Sequence, residues 1–302
     1  MISYRYHLVS IVAVFLALAL GIVVGTTALN GPITTDLRKQ VNSVKSERSV
    51  LAQQVKTLQN QLSDANQFAS TYGSQLVTGA LTGQTVLLVG LPGAGNNVED
   101  GIATQIAAAG GKISGRLQLT ADYIDPRRAS DITALATGAV HPYALTLPST
   151  SDAGVLGAAL LSFVLLGKGQ PTDLAQVIGG FAELHMVTVS GSIAASTTVV
   201  VIGTGTFARG DSRGTAEFDL VSALQQSGGN VVVAGDAPSA TQAGVIALVR
   251  ASAKSSISTV DNADTAIGQV STVLATAGII KSQVGQYGSG PGAQALFPNP
   301  VK

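Results

Sequence analysis

Hydrophobic and polar positions divide the chain into three parts, each with a different pattern of apolar residues. The first part is an apolar run from Leu8 to Leu29 that contains no charged residue. Because about 20 such residues span a bilayer core as one helix, the run predicts a retained membrane anchor over residues 8–29, behind a short tail at 1–7. The alternative is a cleaved signal peptide, whose apolar region is usually only about 7–15 residues long.

Two glycines four residues apart, Gly21 and Gly25, form a GxxxG pair within this anchor. The spacing lets two membrane helices approach closely, so the pair is a candidate packing site, although glycine is also common in membrane helices in general. Lys and Arg near the anchor do not favour a C-terminus outside the cytoplasm. Large domains translocate largely regardless of charge, and we expect the rest of the chain to be extracytoplasmic.

The second part, residues 33–77, places mostly apolar residues at two positions of each heptad. Such a run over about six heptads predicts a coiled-coil stalk, through which the chain joins a homo-oligomer or a hetero-oligomer. The alternative is a single amphipathic helix that packs on its own domain. Arg48 interrupts the apolar pattern, and either fixes the register or extends into solvent. The predicted seam consists of Leu37, Val41, Val44, Arg48, Leu51, Val55, Leu58, Leu62, Ala65, Ala69, Tyr72 and Leu76.

The third part alternates short β-branched runs with Ala-rich helical patterns. Continuous apolar runs indicate strands buried on both faces, which is typical of a parallel sheet covered by helices. The predicted strands are Thr85–Gly90, Lys112–Leu119, Met186–Ser190, Thr197–Gly203, Asn230–Ala234 and Ile257–Val260. The predicted helices are Val98–Ala109, Arg128–Ala136, Ala153–Leu166, Thr172–Leu184, Ala216–Gln226, Ser239–Ala251 and Thr265–Ala277. The uncharged helix from Ala153 is short for a second membrane span and predicts a buried core helix.

The order strand, Gly-rich turn, helix and Gly-Gly occurs twice in this third part, once from Thr85 and once from Thr198. We therefore predict a doubly wound, Rossmann-like, mostly parallel α/β domain at 84–282 with a weak internal repeat, followed by a glycine-rich tail at 283–302. Gly73, Gly79 and Gly83 are predicted to end the stalk helix. Gly110-Gly111 and Gly228-Gly229 suit the left-handed turn that closes a helix.

Composition excludes several classes of protein. Only 11% of the residues are charged and the net charge is zero, which argues against a nucleic-acid-binding surface. The absence of Cys excludes a disulfide scaffold, a Cys-based zinc site and a cysteine nucleophile. The mean hydropathy of +0.38 agrees with a segment in lipid.

Two weak patterns are candidate sites. Gly203-x-Gly205-x-x-Ala208 follows an apolar strand as a dinucleotide fingerprint does, and Asp236 follows the next strand, where a ribose-binding acid could lie. Asp236 is well beyond the usual spacing of about 20 residues, so a structural turn is the preferred interpretation. His185 and Met186 are weak candidate metal ligands, but soft ions favour thiolates and thioethers, which are absent or scarce here.

The opening sequence Met1–Leu29 resembles that of an actinobacterial family of copper transporters, the MctB family, which includes SteB-like proteins. The tail carries a second similar motif at Tyr287, Gly288, Gly290 and Gly292. The resemblance implies either copper efflux through an outer-membrane channel or a SteA–SteB-type membrane complex that influences cell-wall hydrolysis and cell separation.

The residues themselves favour the second implication. A membrane barrel needs alternating strands of about 10 residues with aromatic girdles, whereas the strands predicted here do not alternate and only 4% of the residues are aromatic. We therefore predict a non-catalytic, single-span envelope protein without a cofactor, bound to the lipid bilayer and to a SteA-like partner. Copper transport is the alternative, although the ligand content does not support a copper ion. A third class is an external enzyme or small-ligand binder that uses the turn at Gly203.

Overall fold

The computed structural model describes residues 4–252 and 256–299, except for the side chains of residues 27–35. The first residues of the predicted tail 1–7, the last three residues of the tail 283–302 and the side chains that end the anchor 8–29 therefore lie outside the described residues. The chain divides into two compact units, Met1–Ser63 and Asp64–Lys302, which are described separately below.

The described part of the first unit is a single α-helix. Helix α1 runs over Tyr4–Val77, and its segment Tyr4–Thr26 is long and apolar enough to cross a membrane. The described residues contain one such segment, and it begins before the predicted anchor. A Cβ atom added to either Gly21 or Gly25 would meet nothing within 4 Å, so both positions of the predicted packing pair face open space.

The seam side chains of the first unit are exposed. Leucine and valine side chains at the predicted a and d positions keep more than half of their surface exposed to solvent in the isolated chain. An apolar stripe of this length on one face of a helix is the pattern that a helical partner covers. The residues concerned are Leu37, Val41, Val44, Leu51, Val55, Leu58 and Leu62.

The last turns of α1 belong to the second unit and differ from the prediction. Gly73 does not end the helix, which continues to Val77. A Cβ atom at Gly73 would lie 2.5 Å from Cγ2 of Val270, so this glycine allows the helix to pack closely against the core. Ala69, a predicted seam residue, is buried on the same face. Of the predicted seam residues in these turns, Ala69 packs on the core of the unit, whereas Tyr72 and Leu76 stay exposed.

The second unit contains one sheet of seven strands in the order β3-β2-β1-β4-β5-β6-β7. All neighbouring strands are parallel except β2 and β3, which are antiparallel. This arrangement confirms the predicted α/β class with a mostly parallel sheet. The strands are β1 Thr85–Gly90, β2 Lys112–Leu119, β3 Val187–Ser190, β4 Thr198–Gly203, β5 Asn230–Gly235, β6 Ser258–Val260 and β7 Gln286–Tyr287.

Helices cover both faces of the sheet. Successive side chains of the central strands face opposite sides, so Leu87 and Val199 contribute to one core while Leu88 and Val200 contribute to the other. The strands are therefore buried on both faces, as their continuous apolar sequence predicts. The helices are α2 Asn96–Ala108, α3 Ala129–Thr137, α4 Ala153–Leu165, α5 Pro171–Glu183, α6 Ser212–Gln226, α7 Val245–Ala251 and α8 Ala266–Ile280.

Local expectations for single elements are confirmed. Helix α4 buries most of its residues in the first core, so its apolar sequence belongs to the interior of the unit. Gly110 and Gly228 adopt φ angles of +80° and +85°, the left-handed conformation expected at the ends of α2 and α6.

Two elements of the second unit differ from the prediction. The predicted helix Ser239–Ala251 is a 3₁₀ turn at Ala237–Ala240 followed by α7, because Gln242 has a positive φ and Gly244 packs directly against the Ser239 backbone. The predicted tail 283–302 contributes β7, which pairs with β6. Two residues of the predicted tail, Gln286 and Tyr287, are therefore part of the sheet.

Candidate functional site

The carboxyl ends of the parallel strands form the edge of the sheet where α/β proteins usually bind ligands. The strand order changes direction between β1 and β4, and a cavity of about 240 Å³ lies beside their ends. The Gly-rich loop Gly93–Gly95 and the turn at Gly203 line this cavity, together with Asp236 and Asp264. This edge is the candidate site that the fold defines.

The structure brings the predicted residues Gly203, Gly205 and Asp236 together at this edge. The Asp236 carboxylate accepts hydrogen bonds from Thr204 Oγ1 at 2.8 Å and from the Gly205 amide at 3.0 Å. It also accepts one from the Ser239 amide at 3.1 Å. Gly205 has a φ of +68°, which a turn residue without a side chain adopts easily.

The electrostatics of the same edge oppose a dinucleotide. The amide that would face a pyrophosphate is already bonded to Asp236, and α6 begins only at Ser212. Asp264 adds a second carboxyl group to the cavity. Burial raises the pKa of Asp264, and the neighbouring charges of Asp236 and Asp261 raise it further. The arrangement therefore fits a structural turn better than an anion site.

The candidate metal ligands His185 and Met186 do not converge. His185 has a φ of +59° at the turn between α5 and β3, and its side chain is exposed. Met186 is completely buried in the first core, so its sulfur is inaccessible to an ion at the surface. Among residues 4–252 and 256–299, the structure contains no group of three or more His, Asp or Glu side chains arranged to hold a metal ion.

The tail motif surrounds a buried ion pair that the sequence did not reveal. Nη1 of Arg250, at the end of α7, lies 2.8 Å from Oδ2 of Asp261, and both side chains are almost completely buried. Arg250 also donates to the carbonyl oxygens of Tyr287 at 2.8 Å and Pro291 at 2.9 Å. Asp261 directly follows the buried strand β6. This position was the feature of the sequence that indicated a side chain at the carboxyl edge of the sheet.

The glycines of the motif make this enclosure possible. The Asp261 carboxylate accepts hydrogen bonds from the Ser289 and Gly290 amides, each at 2.9 Å. Gly288 has a φ of +119°, and a Cβ atom there would collide with the same carboxylate. A Cβ atom at Gly290 would lie 2.9 Å from Oδ2 of Asp261. Gly288, Gly290 and Gly292 thus let the tail backbone fold closely over Arg250 and Asp261, an arrangement that we call the tail lock.

A second buried acid lies in helix α6. Glu217 is 2% exposed, and its Oε1 atom has no hydrogen-bond partner among the described residues. Burial raises its pKa to about 8. The folded state therefore holds a proton at neutral pH that the unfolded chain releases, which lowers stability as the pH rises from about 4.5 towards 8.

Replacing Glu217 with Gln is expected to remove this loss of stability. The E217Q variant should gain about 4 kcal/mol in the free energy of unfolding at pH 7.5 and little at pH 4, since the gain follows the pKa difference between the folded and unfolded states. Urea unfolding followed by circular dichroism at both pH values measures the effect. The control is E183Q at an exposed position of α5. An equal response of E217Q at both pH values would contradict the assignment.

The fold and the candidate site define the class of the protein: an α/β unit on a mostly parallel sheet, preceded by a helix whose first segment is long and apolar enough to cross a membrane. The chain belongs to the family described as copper transport outer membrane protein, MctB, whose family model matches residues 1–298.

Curated relatives resemble the chain over nearly its whole length. It is 29% identical to the copper transporter MctB of Mycobacterium tuberculosis over 310 residues, covering 98% of this chain and 99% of the relative. The same values hold for the protein of that name from Mycobacterium bovis. The copper transporter MctB of Mycobacterium leprae is 27% identical over 313 residues, with the same coverage.

Proposed function

We propose that this protein takes part in copper transport and copper resistance at the cell envelope, as a single-span component of an assembly. The family match over residues 1–298 carries this proposal, since the similar mycobacterial proteins are named copper transporters. The sequence alone favoured a role in cell-wall remodelling and treated copper transport as the alternative. The family and the names of its relatives support that alternative better.

An assembly is proposed because a single chain offers little of what a copper pore needs. The described residues contain one segment suited to crossing a membrane, and one helix does not enclose a pore unless it oligomerises. They also contain no cluster of metal-binding side chains. The exposed seam from Leu37 to Leu62 supports association with other copies or partners. In this proposal, the chain acts without catalysis, as an organiser of a copper pathway.

The finer architecture belongs to the same proposal. The seam residues form a coiled-coil stalk, and the α/β unit lies outside the cytoplasm beyond the anchor. The adjacent parallel strands β1 and β4 each lead into a Gly-rich turn, which supports a doubly wound domain with two related halves. An outer-membrane location agrees with the description of the family.

A second candidate function is a SteA–SteB-type complex that acts in cell-wall remodelling and cell separation. The exposed seam supports this candidate equally, because a stalk with an apolar stripe suits the recognition of a second membrane protein. The two candidates differ in the phenotype that follows deletion of the gene.

Deletion in the native host is expected to lower the copper concentration that inhibits growth and to raise the copper content of the cells. Growth in graded copper, with zinc as the control metal, and metal analysis of washed cells measure both effects. Complementation with the wild-type gene restores resistance. Normal copper resistance together with cells that fail to separate would overturn the copper proposal and favour the SteA–SteB-type complex.

A further inference from the structure

The loop between α3 and α4 contains a histidine whose two ring nitrogens both face carbonyl oxygens. Nδ1 of His141 lies 2.9 Å from the carbonyl oxygen of Ala136, near the end of α3. Nε2 lies 3.1 Å from the carbonyl oxygen of Leu145, within the loop. A carbonyl oxygen only accepts hydrogen bonds, and a neutral imidazole has one N–H group, whereas the imidazolium has two. The protonated side chain is therefore the form that satisfies both contacts.

The same side chain connects the loop to α3. We call residues 142–150 the cover segment. In the part of the chain that the structure describes, the backbone N–H hydrogen bonds of the cover segment stay within it. It bonds to residues outside it at two points, where the Thr150 hydroxyl accepts from the Asp152 amide and where the Leu145 carbonyl faces His141. His141 is therefore the hydrogen-bonded link between the cover segment and α3.

Packing holds the cover segment only lightly. Leu145 and Leu147 are half-buried against the first core, whereas Tyr143 is fully exposed. A cavity of about 310 Å³ lies between the cover segment and the helices α4 and α6, and Leu145, Thr146 and Pro148 line it on the loop side. A segment with few buried contacts and few hydrogen bonds opens locally at a small cost in free energy. Loss of one hydrogen bond therefore changes how often this segment is open.

The carbonyl oxygens, and no neighbouring charge, are the partners of the imidazole. Helix α5 packs beside it, since a Cβ atom at Gly180 would lie 3.6 Å from Cγ1 of Val140. Among the described residues, the imidazole forms no salt bridge. The titratable groups of the surrounding elements are Asp131 on α3, Asp152 at the start of α4, Asp173 and Glu183 on α5, and Tyr143 in the cover segment. The three aspartates are each bonded at the start of their own helix, and the other two side chains are exposed.

We propose that His141 is a pH-sensitive clamp on the cover segment. The imidazolium donates to both carbonyl oxygens and fastens residues 142–150 to α3. When the proton is lost, one ring nitrogen presents a lone pair to a carbonyl oxygen, so that contact becomes repulsive and the segment loosens over the cavity. Histidine changes its charge between about pH 5 and 8. The clamp therefore holds on the acid side of this range and is lost as the pH rises through it, independently of the copper role proposed above.

A spin label on the cover segment tests the proposal in the full-length protein in detergent. The chain contains no Cys, so Y143C introduces a single labelling site at a fully exposed position. Electron paramagnetic resonance spectra should show that the ratio of mobile to immobilised label rises at least about tenfold between pH 5.5 and pH 8. A tenfold change corresponds to about 1.4 kcal/mol, which is close to the lower end of what a hydrogen bond to a charged group contributes.

Two variants assign the response to His141. H141Q removes the titrating group but keeps a donor and an acceptor, so the label in Y143C/H141Q should be equally mobile at both pH values. Y143C/H185N should respond like Y143C alone, because His185 is exposed and its φ of +59° is one that Asn also adopts. Circular dichroism at both pH values checks that each variant is folded.

Nitrogen-15 NMR of the histidine-labelled protein tests the same proposal without a substitution at His141. The chain contains three His, and the H185N spectrum assigns one of them. Both ring nitrogens of His141 should carry protons at pH 5.5 and only one should do so at pH 8. A neutral His141 at pH 5.5, a pH response that persists in H141Q, or a label whose mobility is independent of pH would overturn the proposal.

Discussion

Replacing Asp261 with Ala is expected to destabilise the second unit by about 3–5 kcal/mol, because it leaves the Arg250 guanidinium buried without its counter-charge. Arg250 is 5% exposed and Asp261 is completely buried, so water cannot replace the lost carboxylate. The substitution also removes the acceptor of the Ser289 and Gly290 amides. The C-terminal residues that cover the pair should therefore separate from β6 before the rest of the sheet unfolds.

Urea unfolding of the full-length protein in detergent measures the loss, and limited trypsin digestion reports release of the tail through cleavage after Lys281. The control is D64A, at an exposed position of α1. Removing both charges in R250M/D261L should cost less than the sum of the single substitutions, since no unpaired charge remains. A D261A protein with wild-type stability would show that the tail lock does not hold the tail in place.

The central strands of the sheet are predictable because each carries a local signal in its sequence. The run from Thr198 to Gly203 is apolar at nearly every position, because this strand is buried on both faces between two layers of helices. The direction of β3 has no such signal, because its pairing with β2 depends on contacts distant in sequence. Strand β7 is only two residues long and lies among glycines, so its sequence resembles a flexible tail.

The candidate site is less predictable than the fold, because its partners are far apart in the sequence. Asp236 caps the turn at Gly205 across 31 residues, and Arg250 reaches the Tyr287 carbonyl across 37 residues. A glycine pattern indicates a close backbone approach but does not identify the group that is approached. The resemblance located the tail motif, and only the structure shows that its glycines accommodate Asp261.

Two acids at the first turns of α4 and along α6 show the same limitation. Asp152 has an ordinary sequence context for a residue that precedes a helix, and Asp219 is one acid in an amphipathic helix. Neither differs from a solvent-exposed acid until α4 and α6 are packed together. The chemistry of the second unit is therefore set by side chains that only tertiary packing brings into contact.

The double variant Leu51→Lys plus Leu58→Lys is expected to weaken self-association or partner binding by more than about 100-fold. Each leucine contributes about 1.5–3 kcal/mol when a partner helix buries it, and the substitution also places charges at the centre of the seam. Both leucines occupy d positions and are exposed in the isolated chain, so the variant should remain a folded monomer. Analytical ultracentrifugation in a density-matched detergent measures the association state.

The matched control is Gln53→Lys plus Asn60→Lys, which adds the same charges at the same spacing on the opposite face of the helix. This control should associate like the wild type, because the f positions of a heptad remain in solvent when the a and d positions meet. If both variants dissociate, charge repulsion along the helix explains the effect and the seam is not the interface. If neither does, the exposed stripe from Leu37 to Leu62 does not mediate assembly, and the copper pathway proposed here needs another contact surface.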